Sequence, residues 1–408
     1  MSKKKGSILG GMLLLAGSCI GAGMLGLPIM TGLSGFFPSL IAFFAAWAFM
    51  TLTGLLLVEA SGTYSRRVNL ITVVGRTLGN VGKIACWILY LFLFYSLLLA
   101  YISGIGALSS KIMEQFFHFS FPEWGGSLFF VLLFGSVVYM GTRPVDLWNR
   151  VLMVGKIGSF LGLVFLGSRF IDPQLLMRSA PKYAVFALPI LVISFGFHNM
   201  IPSLMDYLGG DTKRVRRAIL LGGLFALTIY LIWQVLVLGI LPLEGESGIL
   251  ATVRGGGEAA QAIIGVLGAS SVSYAITFLA FFAILTSFLA QALGLSHFLA
   301  DGFGVSYKKK EEFWLVVFTL VPPLFLAILY PNVFLKALNF AGGICAVILF
   351  GIMPVLMVWK GRKKKGSESP YRVFGGKPLL VTLFLIALFV AFFQISQMVG
   401  APYIPKIQ

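Results

Sequence analysis

The sequence predicts an all-α polytopic membrane protein, and three observations predict it. Of the 408 residues, 58% are hydrophobic and only 11% charged, with a mean hydropathy of +0.96. That is more apolar surface than a soluble domain can bury. Apolar runs of about 20 residues, long enough to cross the hydrocarbon core as a helix, recur eleven times along the chain. Finally, Lys and Arg segregate between alternate connections, as the positive-inside rule demands of a multi-pass protein.

The runs fall at about 8–32, 36–60, 84–110, 124–141, 148–168, 183–207, 215–241, 260–299, 313–330, 334–359 and 378–399. The eighth is too long for one crossing and includes a surface helix ahead of its span. With the N-terminus in the cytoplasm, only Lys111, Arg169, Arg178, Lys182, Arg254, Lys336 and Lys406 among the 31 basic residues fall outside, and Lys156 lies just inside its span. The chain therefore reads as a multi-pass membrane protein, N-terminus cytoplasmic and C-terminus external. The net charge of +17 is a topology signal and calls for no nucleic acid partner. Blocks such as Lys363–Lys365 anchor the cytoplasmic surface near anionic lipid. "MSKKKGS" leads straight into a full-length span, which leaves no cleavable signal peptide. Cys19, Cys86 and Cys345 all fall inside apolar runs, so no disulfide framework is expected, and no cofactor motif occurs.

Two spans carry an interruption. The first contains "GSCIGAGMLGLP", Gly17 to Pro28, and the sixth contains "SFGFHNMIPSL", in which Gly196 precedes Pro202. Each glycine weakens a helix by about 1 kcal/mol relative to alanine, and in lipid each freed backbone group costs several kcal/mol unless something satisfies it. Taken alone, Gly17 and Gly21 would serve helix packing. Two interruptions separated by five spans point elsewhere, because an odd number of crossings inverts the second copy. Discontinuous helices at matching places in two inverted halves mark a transporter site near the midplane. The expected organisation is a five-plus-five inverted repeat with broken helices 1 and 6: 1–168, then 183–359, with 378–408 an added span and external C-terminus.

"AGSCIGAGMLGLP", "SFGFHNMIPSL", "LTSFLAQALGLSHFLAD", "YPNVFLKALNFAGG" and "YRVFGGKP" resemble the bacterial hydroxy/aromatic amino acid permease family, most closely its tyrosine-specific members. The similarity covers essentially the whole chain. It implies the fold of the amino acid–polyamine–organocation superfamily and secondary active uptake of an aromatic amino acid, tyrosine first and tryptophan next, usually driven by protons. Serine/threonine permeases and sodium-coupled carriers of the same fold are the alternatives.

A zwitterionic substrate needs donors for its carboxylate and acceptors for its ammonium. Backbone N–H groups of Gly21, Ala22 and Gly23 suit the first, since small residues leave them open at a half-helix N-terminus. Carbonyls suit the second, with Ser18 in span one and Ser194, Phe195 and Phe197 around Gly196 as candidates. Tyr95, Leu99 and Phe197 are expected to wall the side-chain pocket. His198 is placed either to orient substrate or carry a proton, or to satisfy freed backbone as a neutral ring. No carboxylate side chain lies near the breaks, which fits a substrate that brings its own compensating charge.

Intramembrane ionisable groups are few: Glu59, Lys156, His198 and His297, with Asp206 and Asp301 nearer the cytoplasmic ends. Glu59 and His297 read as structural. For the coupling ion, two resemblances pull apart. Ala283, Thr286 and Ser287, with the carbonyls of Gly17 and Ile20, resemble the sodium site of sodium-coupled relatives. Lys156 resembles the lysine that proton-coupled or exchanging relatives place near that location, where an ammonium excludes sodium. Protons are the favoured reading. A membrane-embedded enzyme would need a metal cluster, paired acids or a Ser/His/Asp constellation, and a channel would need polar rings or a filter loop. The sequence offers none of these.

Overall fold

The computed structural model describes residues 6–62, 70–268, 270–304, 309–363 and 371–400. The C-terminal residues expected outside the membrane, 401–408, lie beyond them, as do Lys364 and Lys365. In order, the helices are α1 (Ile8–Cys19), α2 (Gly23–Thr31), α3 (Phe36–Ser61), α4 (Leu70–Leu78), α5 (Asn80–Phe117), α6 (Glu123–Tyr139), α7 (Thr142–Gly167) and α8 (Pro173–Leu176). There follow α9 (Leu188–Ser194), α10 (Ile201–Tyr207), α11 (Thr212–Ile240), α12 (Ile249–Gly255), α13 (Ala259–Leu267), α14 (Ser271–Phe303), α15 (Lys309–Leu329), α16 (Phe334–Phe340), α17 (Met353–Gly361) and α18 (Gly376–Val399). A π-helical stretch, Ala341–Ile352, joins α16 to α17. An isolated bridge between Gly35 and Ser179 is the extended pairing among the described residues.

Among those residues, eight helical segments are long and apolar enough to cross a membrane, and α1 with α2 makes a ninth when taken as one bent span. The apolar helices Glu123–Tyr139 and Phe313–Leu329 are shorter, so a count of eleven rests on admitting both. The long eighth run divides as its length requires. Gly268, at φ +60°, ends α13, and Ser270 caps the start of α14 through its hydroxyl.

Both interruptions are real breaks. The axes of α1 and α2 differ by 63° across Ile20–Ala22. In the sixth span α9 ends at Ser194, a short 3-10 turn occupies His198–Met200, and α10 starts beside Pro202. Space is tight at both breaks. A Cβ at Gly196 would sit 2.8 Å from the Ile193 carbonyl, which leaves no room for one, and a Cβ at Gly23 would press on the Ser194 hydroxyl at 3.1 Å.

Helix α11 lies along α1, and α7 lies along α14. Polar ties fasten α11 to the broken first span at several heights. The Arg214 guanidinium donates to Gly6 O (2.6 Å), Trp233 Nε1 donates to Met24 O (2.8 Å), and Gln234 Nε2 donates to Thr31 Oγ1 (2.7 Å). Arg178 caps the far end of α2 by donating to the carbonyls of Gly32 and Leu33, where the helix dipole is negative. At the other face, Glu59 of α3 accepts two hydrogen bonds from Arg362 (2.7 and 2.8 Å) and one from Val373 N (2.7 Å). This buried carboxylate is fully paired, in keeping with a structural role.

Candidate functional site

The gap between the two broken spans opens into a cavity of about 440 Å³ lined by parts of the first span, α5, α7, the sixth span, α14, and the segment from α16 through the π-helix. Backbone lost from the helical ladder at the first break must find partners elsewhere, and it does. Cys19 O accepts from the Tyr230 hydroxyl (2.6 Å), Ile20 O accepts from Lys156 Nζ (2.8 Å), and Ala22 N donates to Ser287 Oγ (2.9 Å). The donors and the acceptor come from α11, α7 and α14. Sequence-distant helices therefore satisfy these three backbone groups in a medium where each would otherwise cost several kcal/mol.

Tyr230 ties the two breaks together. Its hydroxyl lies 2.6 Å from Cys19 O and 2.8 Å from Ser194 O, and its ring meets Phe195 edge-on at 5.1 Å. The residue is fully buried. Ser194 Oγ is also buried and has no hydrogen-bond partner, which leaves one hydroxyl available beside Gly23. Tyr101 of α5 lines the same cavity as Ser287 of α14, whose hydroxyl holds the first break through Ala22 N.

Nine of the residues expected from sequence line this cavity: Gly17, Ser18, Gly21, Gly23, Lys156, Ser194, Gly196, Thr286 and Ser287. The others lie around it. Ala22 is buried behind the lining, with its N–H on Ser287. Ile20 contributes its carbonyl to Lys156. Thr286 donates to Phe282 O (2.8 Å) and Ala283 O (3.2 Å), turning its hydroxyl into its own helix. Gly21 N donates to Cys19 O at 2.8 Å, so a substrate carboxylate approaching Gly21 and Ala22 must displace an internal bond.

The aromatic candidates separate by helix face. Tyr95 donates to Phe318 O on α15 (2.7 Å), and Leu99 packs into the surrounding core. The cavity face of α5 carries Tyr90, Leu93, Phe94, Leu97 and Tyr101. Their spacing is that of one helical stripe, and its phase is set only by what α5 packs against. Phe197 packs over Gly54 of α3. His198 points the same way: Nε2 is 3.0 Å from Thr53 Oγ1, and the ring stacks on Phe350 at 4.8 Å. Its Nδ1 has no hydrogen-bond partner, and the side chain does not line the cavity.

Sequence reasoning passed over Tyr230, Asn149, Asn199, Gln291 and Phe350. The polar signals among them, Asn149 and Gln291 inside apolar spans, were present in the sequence. The role of Tyr230 was not, since a tyrosine in an apolar helix is ordinary until its hydroxyl is seen between two carbonyls. Among the described residues no group of three His, Cys, Asp or Glu side chains gathers to hold a metal ion.

The profile of the tryptophan/tyrosine permease family matches residues 4–394. The tryptophan-specific transport protein of Pseudomonas aeruginosa is 34% identical over 392 residues, 94% of this chain and 93% of that one. Tyrosine-specific transport system 1 of Haemophilus influenzae is 32% identical over 405 residues, 98% of each chain. The low affinity tryptophan permease of Escherichia coli is 29% identical over 404 residues, 96% of each.

Proposed function

Because the chain belongs to the tryptophan/tyrosine permease family, we propose that it imports an aromatic amino acid, tyrosine or tryptophan, by secondary active transport. The observation that carries this reading is the meeting of two broken spans at one cavity with unwound backbone and an unpartnered Ser194 hydroxyl at its wall. A free amino acid is the ligand such a site suits. Its carboxylate takes N–H groups at the start of α2, and its ammonium takes carbonyls at the end of α1 and beside Gly196. Tyr90, Phe94 and Phe350 supply aromatic walls for the side chain.

The cavity lies on the α1 side of the break. Leu14, Gly17 and Ser18 line it, and nothing in α2 beyond Gly23 does. On the other side, α12 and α13 pack over α2. With the N-terminus cytoplasmic, this arrangement is the inward-facing member of an alternating-access pair related by the two inverted repeats.

Protons are the coupling ion in this reading. Lys156 is 4% exposed, and its ammonium donates to Ile20 O, one of the carbonyls a sodium ion would need. Its charge blocks that position, and protonation and deprotonation of Lys156 would alternate with substrate binding. Sodium coupling would instead require Lys156 to leave and Thr286 to turn outward.

Counterflow of radiolabelled tyrosine and tryptophan in proteoliposomes tests the function. Saturable exchange, inhibited by aromatic amino acids and not by serine or threonine, is the expected result. Exchange inhibited best by serine or threonine would overturn the substrate assignment, and absence of any counterflow would overturn the carrier.

A further inference from the structure

The cavity face of α14 carries Ser287, Gln291 and Gly294, at positions i, i+4 and i+7 of one stripe. Ser287 is fixed at the first break by the N–H of Ala22. One helical turn away, about 6 Å along the axis, stands Gln291, half-buried and lining the same cavity. Beside it Gly294 lets the Phe94 ring close on the helix, since a Cβ there would meet Phe94 Cε1 at 3.1 Å. Gln291 thus shares the cavity wall with the aromatic side chains of Phe94, Tyr90 and Phe350.

A polar amide facing an apolar slot is costly once water leaves, unless a ligand atom pairs with it. A substrate whose backbone end is held at the break would send its ring along α14, and one turn of helix matches the reach of a phenol or indole side chain from its α-carbon. We infer that Gln291 reads the polar edge of the substrate's aromatic ring and selects tyrosine and tryptophan against phenylalanine. The amide supplies both halves of the requirement. Its carbonyl accepts from a phenol O–H or an indole N–H, and its NH2 donates to the phenol oxygen. Phenylalanine offers neither group and leaves the amide unpaired in the closed site. Sites built this way reject the analogue lacking the hydrogen-bonding group far more strongly than an apolar pocket can. This inference rests on the aromatic amino acid reading above and adds the residue that sets its selectivity.

Two other amides line the cavity. Asn149 on α7 is seven residues from Lys156, about 10 Å along that helix, and is therefore remote from the break. Asn199 is exposed in the turn after Ser194 and serves as the comparison. The experiment measures uptake of radiolabelled L-tryptophan, L-tyrosine and L-phenylalanine into proteoliposomes by the wild type, Gln291→Leu, Gln291→Met and Asn199→Leu. The wild type is expected to show a KM for phenylalanine at least about tenfold above the better of the other two. Both Gln291 variants should raise KM for tryptophan and tyrosine at least about tenfold and leave phenylalanine within about twofold, a differential of about 1 kcal/mol or more. Asn199→Leu should keep the wild-type ratio.

A second arm uses the unmodified protein and so does not depend on a variant folding. The benzothiophene analogue of tryptophan, with sulfur in place of the indole N–H, should compete at least about tenfold more weakly than tryptophan. Equal competition by that analogue would overturn the inference. So would a parallel shift of all three substrates in the Gln291 variants, or loss of selectivity in Asn199→Leu instead. If the wild type takes up none of the three amino acids, the aromatic reading itself falls, and that failure is visible before any variant is measured.

Discussion

Lys156 Nζ donates to the carbonyl of Ile20 across 2.8 Å, from a helix 136 residues away in sequence. Ile20 begins the break in the first span, so its carbonyl has no helical donor of its own. A lysine ammonium is a strong partner for such a carbonyl. In the proton-coupled reading proposed above, support for the break and exclusion of a small cation rest on this one contact.

Replacing Lys156 with Met keeps the stem and removes the charge. Uptake against a gradient should fall at least about tenfold, while counterflow exchange, which needs no net coupling, should persist. The decisive comparison uses an imposed sodium gradient without a pH gradient. Concentrative uptake under that condition, undiminished in Lys156→Met, would sink the proton assignment.

Tyr230→Phe deletes one oxygen from the junction of the two breaks and retains the ring against Phe195. A buried carbonyl left without its donor costs about 1–3 kcal/mol. Thermal stability should fall by that order, and substrate KM should rise several-fold because Cys19 O and Ser194 O lose their common tether. A variant with wild-type KM would place Tyr230 outside substrate positioning.

The Glu59–Arg362 pair is nearly dry, with side chains 6% and 14% exposed. Glu59→Leu strands the guanidinium and should destabilise the protein by about 3–5 kcal/mol, whereas Glu59→Leu combined with Arg362→Met should recover most of that loss. Denaturation midpoints in detergent for the two variants check it. Equal destabilisation in both would mean that packing, not charge pairing, matters there.

Glu258 caps α13 from a fully buried position outside the spans, accepting from Ala260 N at 2.7 Å and Gln261 N at 3.2 Å. Burial pushes its carboxyl up to about 7, against the opposing pull of those two N–H bonds. Between its ordinary value of 4.5 and about 7, the folded state holds a proton that the unfolded chain has released. Stability contributed by this group is therefore full below about pH 4.5, falls as pH rises to about 7, and is level above that. The change amounts to about 3 kcal/mol at most. Melting temperatures measured from pH 4.5 to 8 should show this slope in the wild type and a flatter one in Glu258→Gln; identical slopes would remove Glu258 as the cause.

The sequence by itself determined the membrane class, because composition and run length reflect the lipid solvent directly. It also located both broken spans, since a glycine cluster followed by proline is a local property of the backbone that survives any packing. Six of the candidate site residues, Gly17, Ser18, Gly21, Gly23, Ser194 and Gly196, lie on the cavity wall because they belong to those breaks. What the sequence could not supply was rotation and depth. Tyr95 and Leu99 share α5 with Tyr90, Phe94 and Tyr101, and an all-round apolar helix does not announce which stripe faces the cavity. His198 sits beside the break, yet its ring turns to Thr53 and Phe350 because the 3-10 turn after Ser194 directs it away from the gap. The pairing of Tyr230 with Cys19 and Ser194 was decided by tertiary structure alone, whereas family resemblance had already set Lys156 near the carbonyls of Gly17 and Ile20. Backbone freed at a break must be satisfied within the membrane, and only the packed arrangement of α7, α11 and α14 determines which side chains reach it.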